Sequence, residues 1–245
     1  MHYVIMPVVV GLKITRDCVR SVLAQDVPDI HLIAIDNGSL DGCGPYLRSL
    51  PPARVTVLTY APTVSLHRVW NHALGEVFDS HHAEHALVIN NDVILSPDTY
   101  RLLEADGSAF VSGVGVDCPW DQSPRDLTSH SLHPTFSCFL IRHHVWSTIG
   151  RFDESYWAWA GDCDYHLRMH QADIVAYGLS LPFQHVNSAT LKTVGPEDHL
   201  KLCRLSDQDR ATFARKYGFA VGSPEYYEAF RLPHENAYTK KGALA

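Results

Sequence analysis

Polar residues follow one apolar stretch of the sequence directly. The apolar run 86–90 ends in Asn90, and Asn91 and Asp92 come immediately after it. Asparagine and aspartate are ordinary turn residues, so a strand that simply ends there explains the pattern. Carboxylate and amide oxygens at the carboxyl end of a strand also suit a hard divalent cation and a diphosphate. The motif by itself supports either interpretation.

A second carboxylate ends another apolar run. Asp36 ends the run Ile30–Asp36 and is followed by the loop sequence NGSLDG. In open α/β sheets, ligands bind beyond the carboxyl ends of the strands. The glycine-rich dinucleotide and P-loop fingerprints are missing, which favours a nucleotide or sugar-nucleotide held by a carboxylate and a metal. A plain Asx turn before Gly38 explains Asp36 equally well.

Aromatic residues precede two further carboxylates in the segment YWAWAGDCDYHLR. Trp157 and Trp159 stand just before Asp162 and Asp164. Flat aromatic faces would stack on a sugar acceptor, and a carboxylate would accept the proton of its hydroxyl. The alternative is an aromatic core cluster in which Asp162 caps the next helix. Asp164 is also explained by an i,i+4 ion pair with Arg168, so Asp162 is the preferred candidate for chemistry.

A histidine ends the apolar run LPFQHV. Such a histidine, His185, is more often a hydrogen-bonded core residue than a ligand. It gains interest if Asp92 holds a metal, because imidazole with carboxylate and phosphate oxygens suits Mn²⁺ as well as Mg²⁺. His166 and His170 stand four apart but lack a nearby third ligand. The histidines 81, 82 and 85 are expected in a solvated loop.

Bulk composition excludes several classes of protein. With 245 residues, 46% hydrophobic and 19% charged, the chain is globular. No apolar run is long enough to cross a membrane, and no signal peptide is recognisable. Six scattered cysteines without a C-x-x-C pair indicate reduced thiols and a cytoplasmic protein. A net charge of −7 gives no global attraction to nucleic acid.

Strands and helices, which would position these residues, alternate along the first hundred residues. The predicted strands are Val4–Val10, Ile30–Asp36, Val55–Tyr60 and Ala86–Asn90, and the helices are Thr15–Gln25, Ser65–Phe78 and one capped by Ser96 with Pro97 first. This alternation predicts an α/β fold with a largely parallel central sheet flanked by helices.

The second half is less regular. We predict strands at Phe110–Val116, 136–142, 173–178 and 181–186, helices at 143–150 and 162–171, and a long surface loop at Asp117–His133. From Gly195 onward the chain is predicted to be helical and polar, with Gly218 as a C-cap. The tail's basic residues are interleaved with acids and are expected to form a solvated face.

The ordered set of these segments resembles family 2 of the glycosyltransferases, enzymes with the GT-A fold. The resemblance runs from about Val4 to about Ser188 and rests on VIMPVVV, CVRSVLAQ, IAIDNGSLDG, VINNDVILSP, FLIRHHVWSTIGRFDESY, GDCDYHLR and HVNS. It implies a nucleotide-sugar-binding and catalytic domain over 1–190, with a helical C-terminal extension over 191–245 packed on the same domain.

The resemblance also implies roles for single residues. Asp92 and His185 would hold a divalent cation, Mn²⁺ or Mg²⁺, and Asp162 would be the general base. The donor, most simply a UDP-sugar, would lie against Pro7, Val8, Asp36, Asn37, Asn71, Asn90 and Asn91, and the acceptor against Trp157, Trp159 and Asp164. The reaction would be displacement at the anomeric carbon with inversion.

This sequence departs from the family pattern at two points. Gly161 stands where the family has a glutamate before its aspartate, and PTVSLHRVWN keeps Asn71 but lacks the family's glycine. A nucleotide-sugar-binding or glycan-binding protein without catalysis is therefore an alternative, as is a nucleotidyltransferase. The expected acceptor is a saccharide, with a hydroxylated nucleic-acid base as a minority option.

Overall fold

The computed structural model describes residues 1–131, 133–186 and 192–230. Its strands are β1 His2–Val8, β2 Ile30–Asn37, β3 Val55–Tyr60, β4 His85–Ile89, β5 Val93–Ile94, β6 Phe110–Val116, β7 Ser129–Ser131, β8 Cys138–Arg142 and β9 Ala176–His185. Its α-helices are α1 Leu12–Leu23, α2 Cys43–Arg48, α3 Leu66–Gly75, α4 Thr99–Asp106, α5 His143–Ile149, α6 Gly161–Gln171, α7 Pro196–Tyr217 and α8 Pro224–Ala229.

The described strands form one mixed sheet. Its order is β3-β2-β1-β4-β8-β6-β9-β5, and β7 pairs with β9 outside this path. The first four strands are mutually parallel, and β8 is inserted antiparallel between β4 and β6. β6 and β9 are again parallel. The predicted fold class, an α/β protein with a largely parallel sheet and a helical C-terminal region, is confirmed.

Helices cover both faces of the sheet. Along β1, Val4, Met6 and Val8 pack on the side of α1, α2 and α4, whereas Tyr3 and Ile5 pack on the side of α3, α5 and α6. Successive strand residues point to opposite faces, so a strand covered on both sides must be apolar throughout. This explains why β1, β2 and β4 appear in the sequence as continuous apolar runs.

A third apolar cluster joins the C-terminal helices to the segment before α6. Tyr156 and Leu167 pack there with Phe213 of α7 and with Tyr226 of α8. The predicted C-cap at Gly218 is present, with a left-handed backbone at φ 80°. Within the described residues, no helix is long and apolar enough to cross a membrane.

Several predictions in the first half of the chain were wrong at element ends: β1 ends at Val8 and not at Val10, and α1 spans Leu12–Leu23 and not Thr15–Gln25. The helix after Ser96 begins at Thr99, because the Ser96 hydroxyl bonds Asp98 and Thr99 within the preceding turn instead of capping a helix at Pro97. His85 is not in a solvated loop but starts β4, with its side chain only 11% exposed.

Two predictions in the second half were also wrong. The predicted loop Asp117–His133 contains a 3₁₀ turn, Trp120–Gln122, and the strand β7, which adds to the edge of β9. The two strands predicted at 173–178 and 181–186 are one continuous strand, β9, whose long pairing with β6 carries it past Pro182 across a register shift. The predicted segment HVNS runs past Val186 and ends outside the described residues.

Candidate functional site

The carboxyl ends of β2, β1 and β4 lie side by side. Val8 of β1 is in register with Asp36 of β2, and Ile5 of β1 is in register with Val88 of β4. Parallel neighbours end at the same edge of the sheet, so the residues that follow these strands meet there. We call this edge, formed by Pro7 to Gly11, Asp36 to Asp41 and Asn90 to Asp92, the donor edge, after the role that the family resemblance implies for it.

Asp36 is a nearly buried carboxylate with both oxygens engaged. Its Oδ1 accepts hydrogen bonds from the Ser39 backbone N–H at 3.0 Å and the Ser39 hydroxyl at 2.5 Å. Its Oδ2 accepts from Arg48 Nη1 at 3.1 Å. A Cβ placed on Gly44 would overlap that same oxygen, so the start of α2 must approach the carboxylate closely. The Asx turn that the sequence allowed is therefore present, and Asp36 stabilises the donor edge through these hydrogen bonds.

Asn37 and Asn71 hold loops in place through both ends of their amides. The Asn37 amide donates to the Val64 carbonyl at 2.9 Å and accepts from the Val64 N–H at 3.0 Å. Asn71 donates to the Phe152 carbonyl at 2.9 Å and to Glu154 Oε1 at 2.9 Å, and it accepts from the Phe152 N–H at 2.8 Å. Buried amides bonded in this way fix the segments before α3 and before α6.

The loop after β1 is tied down from two directions. Asn91 donates to the Val10 carbonyl and to Thr15 Oγ1, both at 2.9 Å. Asp41 Oδ2 accepts from the backbone N–H groups of Gly11 at 2.6 Å and of Leu12 at 3.0 Å.

Asp41 was missed by sequence reasoning, although it satisfies free N–H groups at the start of α1. Partial burial opposes a low pKa at Asp41, but hydrogen bonds from Cys43, Gly11 and Leu12 lower the pKa below its ordinary value. The side chains of Asp41 and Asn91 thus fix the loop that follows Pro7 and Val8.

Asn90 joins the donor edge to the loop before β8. Its backbone N–H donates to the Ser137 carbonyl at 2.9 Å, and its side-chain amide lies 3.3 Å from Ser137 Oγ. The Asn90 carbonyl accepts a weak bond from the Cys18 thiol of α1 at 3.6 Å. Asn90 is only partly buried.

Asp92 and His185 converge at the end of the sheet. Nε2 of His185 lies 3.3 Å from Oδ1 of Asp92, and the side chains are 14% and 10% exposed. Despite this short distance, Asp92 Oδ1 is buried without a hydrogen-bond partner. Pairing of Val93 with His185, and a 3.0 Å bond from the Val186 N–H to the Asp92 carbonyl, fix the two residues together.

This pair has the geometry of two ligands of one cation. Ligands of an octahedral ion at 2.0–2.1 Å lie about 3 Å apart, close to the observed separation. An orphaned buried carboxylate oxygen costs free energy unless a partner satisfies it. A divalent cation held by Asp92, His185 and diphosphate oxygens would supply that partner, so the residues present fit a metal.

The aromatic segment before α6, Tyr156 to Trp159, is held by Asp209 of α7, a residue that sequence reasoning missed. The backbone N–H groups of Trp157, Ala158 and Trp159 all donate to the carboxylate of Asp209, at 2.8, 2.9 and 2.8 Å. Asp209 is 3% exposed, so these charge-assisted bonds are shielded from water. On the other side, the Trp157 carbonyl accepts from the Leu66 N–H at 2.7 Å. Trp157 and Trp159 are both partly exposed.

Asp162 lies in the first turn of α6 beside a buried histidine. Its Oδ1 accepts from the Cys163 N–H at 2.8 Å, and the residue is partly exposed. His67, fully buried in α3, lies 3.2 Å from the Tyr156 carbonyl through Nδ1, while its Nε2 has no hydrogen-bond partner. Burial lowers the pKa of His67, and the negative charge of Asp162 only partly offsets this effect. The imidazole is therefore neutral at pH 7.

Asp164 has the structural position that its spacing from Arg168 predicts. Its carboxylate is fully buried and accepts from Arg168 Nε at 2.9 Å, Lys216 Nζ at 2.6 Å and Tyr217 OH at 2.8 Å. Lys216 also bonds Asp153 at 2.7 Å. Lys216 therefore joins α7 to the segment before α6, and the expectation that the basic residues of the tail all form a solvated face was wrong for this lysine.

The mixed sheet with helices on both faces is a GT-A type of fold. Glycosyl transferase family 2 matches residues 3–169, and the chain belongs to this family. The resemblance and the class of enzyme inferred from the sequence are thereby confirmed. No curated protein matches the chain at a significant level of sequence similarity.

Solved glycosyltransferase structures share the fold at low sequence identity. The mannosyltransferase PcManGT from Pyrobaculum calidifontis, in complex with GDP-Man and Mn²⁺, superposes with a TM-score of 0.63 at 14% identity, covering 93% of this chain and 67% of that one. Residues 1–349 of S. aureus TarS with UDP-GlcNAc give 0.57 at 14% identity, over 94% and 78%. The chain spans about 39% of a longer TarS structure.

A third neighbour has a comparable similarity. Glucosyl-3-phosphoglycerate synthase from Mycobacterium tuberculosis, in complex with Mn²⁺, UDP and glucosyl-3-phosphoglycerate, gives a TM-score of 0.60 at 12% identity, over 89% of this chain and 80% of that one. Identities this low establish the common fold alone. Donor, metal and acceptor must be argued from the residues of this chain.

Proposed function

We propose that the protein is an inverting, metal-assisted glycosyltransferase that moves a sugar from a UDP-sugar to an acceptor hydroxyl. The observation that carries the proposal is the buried, unpartnered Oδ1 of Asp92 facing His185 at the carboxyl edge of the sheet. When bound there, a divalent cation would offset the charge of the departing diphosphate. Among the solved neighbours, PcManGT was solved with GDP-Man and Mn²⁺, TarS with UDP-GlcNAc, and glucosyl-3-phosphoglycerate synthase with UDP and Mn²⁺, which supports a nucleotide-sugar donor and a metal for this fold.

The donor edge supplies the remaining donor contacts. Pro7 and Val8 are buried at the end of β1 and lead into the loop that Asp41 and Asn91 fix, and the partly exposed Asn90 and Asn91 lie beside that loop. Asp36 and Asn37 support the donor edge through their own turn and loop bonds. Asn71 acts on the donor only indirectly, because it fixes the loop that leads to α6. The role of this group is to orient the nucleotide and to exclude water from it.

Asp162 is the residue that we assign as the general base. It is a partly exposed carboxylate at the start of a helix, three residues after Trp159 and five after Trp157. In the proposed reaction, Asp162 accepts the proton of the acceptor hydroxyl as the oxygen attacks the anomeric carbon. Trp157 and Trp159 offer flat faces for a saccharide ring, which is the proposed acceptor class. A hydroxylated base in nucleic acid is the minor alternative.

One observation favours a second candidate function. Gly161 replaces the glutamate that the family resemblance leads one to expect, and the ring of His67 occupies the space in front of it. A nucleotide-sugar-binding protein that has lost transfer activity would show this change and keep the donor edge intact. The two functions differ in turnover and not in donor binding. A nucleotidyltransferase has no comparable support in the described residues.

Thermal stability measured with a panel of nucleotides and nucleotide sugars, with and without Mn²⁺, tests the donor site. A ligand at a hundred times its Kd adds about 2.7 kcal/mol of stability. We expect a UDP-sugar to raise Tm only with metal, and Asp92→Asn to remove that rise. Asp117→Asn, at an exposed position, is the matched control. An equal rise in the Asp92→Asn variant would overturn the metal assignment, and sugar release from the donor in the presence of glycans separates enzyme from binding protein.

A further inference from the structure

Two histidines and a glutamate meet at the amino ends of the parallel strands, on the side of the sheet opposite the donor edge. His2 begins β1 and His85 begins β4, so both stand at the amino ends of neighbouring parallel strands. Glu104 lies in the last turn of α4, which packs against these strand ends. Its carboxylate points between the two imidazoles. Neither the family match nor the proposed transfer reaction uses any of these three side chains.

The three ligand atoms are close to the spacing of a metal site. Glu104 Oε1 lies 3.3 Å from Nε2 of His85, and Glu104 Oε2 lies 3.6 Å from Nε2 of His2. One ligand atom from each of the three residues lies within 4.8 Å of the other two. Ligands bound at 2.0–2.1 Å to a tetrahedral Zn²⁺ lie about 3.3–3.5 Å apart. A small movement of His2 and His85 toward each other would bring all three ligand atoms to this spacing.

The hydrogen bonding around His2 and His85 leaves ring nitrogens available to bind a cation. Both ring nitrogens of His85 are buried without a hydrogen-bond partner, although the ring lies near a carboxylate. Nδ1 of His2 lies 2.6 Å from the Pro28 carbonyl, so Nδ1 carries the proton and the lone pair of Nε2 points into the cluster. A metal-ligating histidine commonly donates its second nitrogen to a carbonyl in this way.

The charges nearby are compatible with a divalent cation. The cluster lies at the carboxyl end of α4, where the helix dipole favours positive charge. The guanidinium of Arg142 is close, but it donates to the backbone carbonyls of Glu104 at 2.7 Å and Ser108 at 3.0 Å, not to the Glu104 carboxylate. Tyr100 packs edge-on against His2 at 5.1 Å and closes the apolar side of the cluster.

We propose that His2, His85 and Glu104 form a second metal site, which binds a divalent transition metal of the zinc type. Two imidazoles and one carboxylate form a three-ligand set that leaves a fourth position for water. Nitrogen-rich ligands select Zn²⁺ over the Mg²⁺ or Mn²⁺ expected at the donor edge. The ion would join β1, β4 and α4 at the amino end of the sheet. The inference goes beyond the proposed transfer reaction and does not depend on it.

Titration of the full-length, chelator-treated protein with Zn²⁺ and Co²⁺ tests the site. The Asp92→Asn background removes the donor-edge metal as a competing signal. We expect one Zn²⁺ per chain with a rise in Tm, and Co²⁺ absorption bands of a four-coordinate nitrogen and oxygen site. His85→Gln in the same background should abolish the bands and weaken Zn²⁺ binding at least about tenfold. His144→Ala, which changes an exposed histidine, should leave both unchanged.

A second variant keeps the test decisive if His85→Gln destabilises β4. His2→Gln changes the first residue of β1 and should also lose the Co²⁺ bands while keeping the metal-free circular dichroism spectrum. The proposal is overturned if Zn²⁺ raises the Tm equally in both variants and their parent, or if none of the proteins binds Zn²⁺. A thiolate-to-Co²⁺ charge-transfer band would also overturn it, since it would assign the metal to a cysteine such as exposed Cys203.

Discussion

The imidazole of His67 fills the space that a side chain at position 161 would need. A Cβ built on Gly161 would overlap Nε2 and Cε1 of His67, which is fully buried in the first turn of α3. Gly161 is the first residue of α6, directly before Asp162. The glycine at this position is therefore a packing requirement of His67, and the pair determines how closely α3 approaches the start of α6.

Replacing Gly161 by alanine should destabilise the protein by about 1–3 kcal/mol, since the added methyl group overpacks a fixed ring. His67→Ala should relieve that clash, so the double variant should be more stable than the sum of the single changes predicts. Urea unfolding of the four proteins measures this coupling. Gly195→Ala is the control, because a Cβ there meets no atom within 4 Å. Simple additivity of the two changes would contradict the packing account.

Replacing Asp162 by asparagine should remove transfer and spare donor binding. The variant keeps the size of the side chain but cannot accept the acceptor proton, so kcat should fall by roughly 10²–10⁴-fold. The donor Kd from thermal shift should stay within about twofold of the parent. Asp121→Asn, at an exposed position, should change neither quantity. Unchanged turnover in Asp162→Asn would show that another group is the base.

Replacing Asp209 by asparagine should loosen the aromatic segment. Three backbone N–H groups would lose a buried charged acceptor, and a hydrogen bond to a charged group contributes about 1.5–3 kcal/mol. We expect a loss of stability of that size, a shifted tryptophan fluorescence spectrum and a raised KM for the acceptor. Asp207→Asn lies two residues away on the exposed face of α7 and serves as the control. Equal stability of the two variants would exclude this role for Asp209.

The ion pair between Asp153 and Lys216 should make stability depend on pH in the acid range. Partial burial opposes the shift, but hydrogen bonds from Lys216 and Ser155 outweigh it and lower the pKa of Asp153 to about 2. The folded-state pKa is thus below the ordinary value of 3.8, so the contribution is complete above about pH 4 and is lost as the pH falls toward about 2.

Thermal unfolding of the parent and of Asp153→Asn from pH 7 downward tests this dependence. The difference in Tm should be constant near neutral pH and should shrink below about pH 4. Asp207→Asn should show no such change, because its position is exposed. A difference that grows on acidification would contradict the sign of the shift.

Local patterns predicted most of the fold. Strand and helix periodicity, together with turn residues, depend on neighbours in the chain, and β3 and β6 were predicted with the bounds that the structure shows. The larger errors arose where pairing with a distant strand decided the outcome. β7 lies in a segment with few apolar residues and exists because it adds to β9, and β9 continues through Pro182 because β6 lies beside it.

The sequence by itself determined the α/β class and the polar residues at the carboxyl ends of the strands, since these follow from side-chain period and turn chemistry. Only the tertiary structure decided which of those side chains face a ligand and which are used in packing. The amides of Asn37 and Asn71 form hydrogen bonds with backbone groups of other loops, and Asp209 accepts a hydrogen bond from Trp157, which lies 52 positions away in the sequence. A polar side chain has the same local signature in both roles, and its role depends on which long-range partners the fold brings within hydrogen-bond distance.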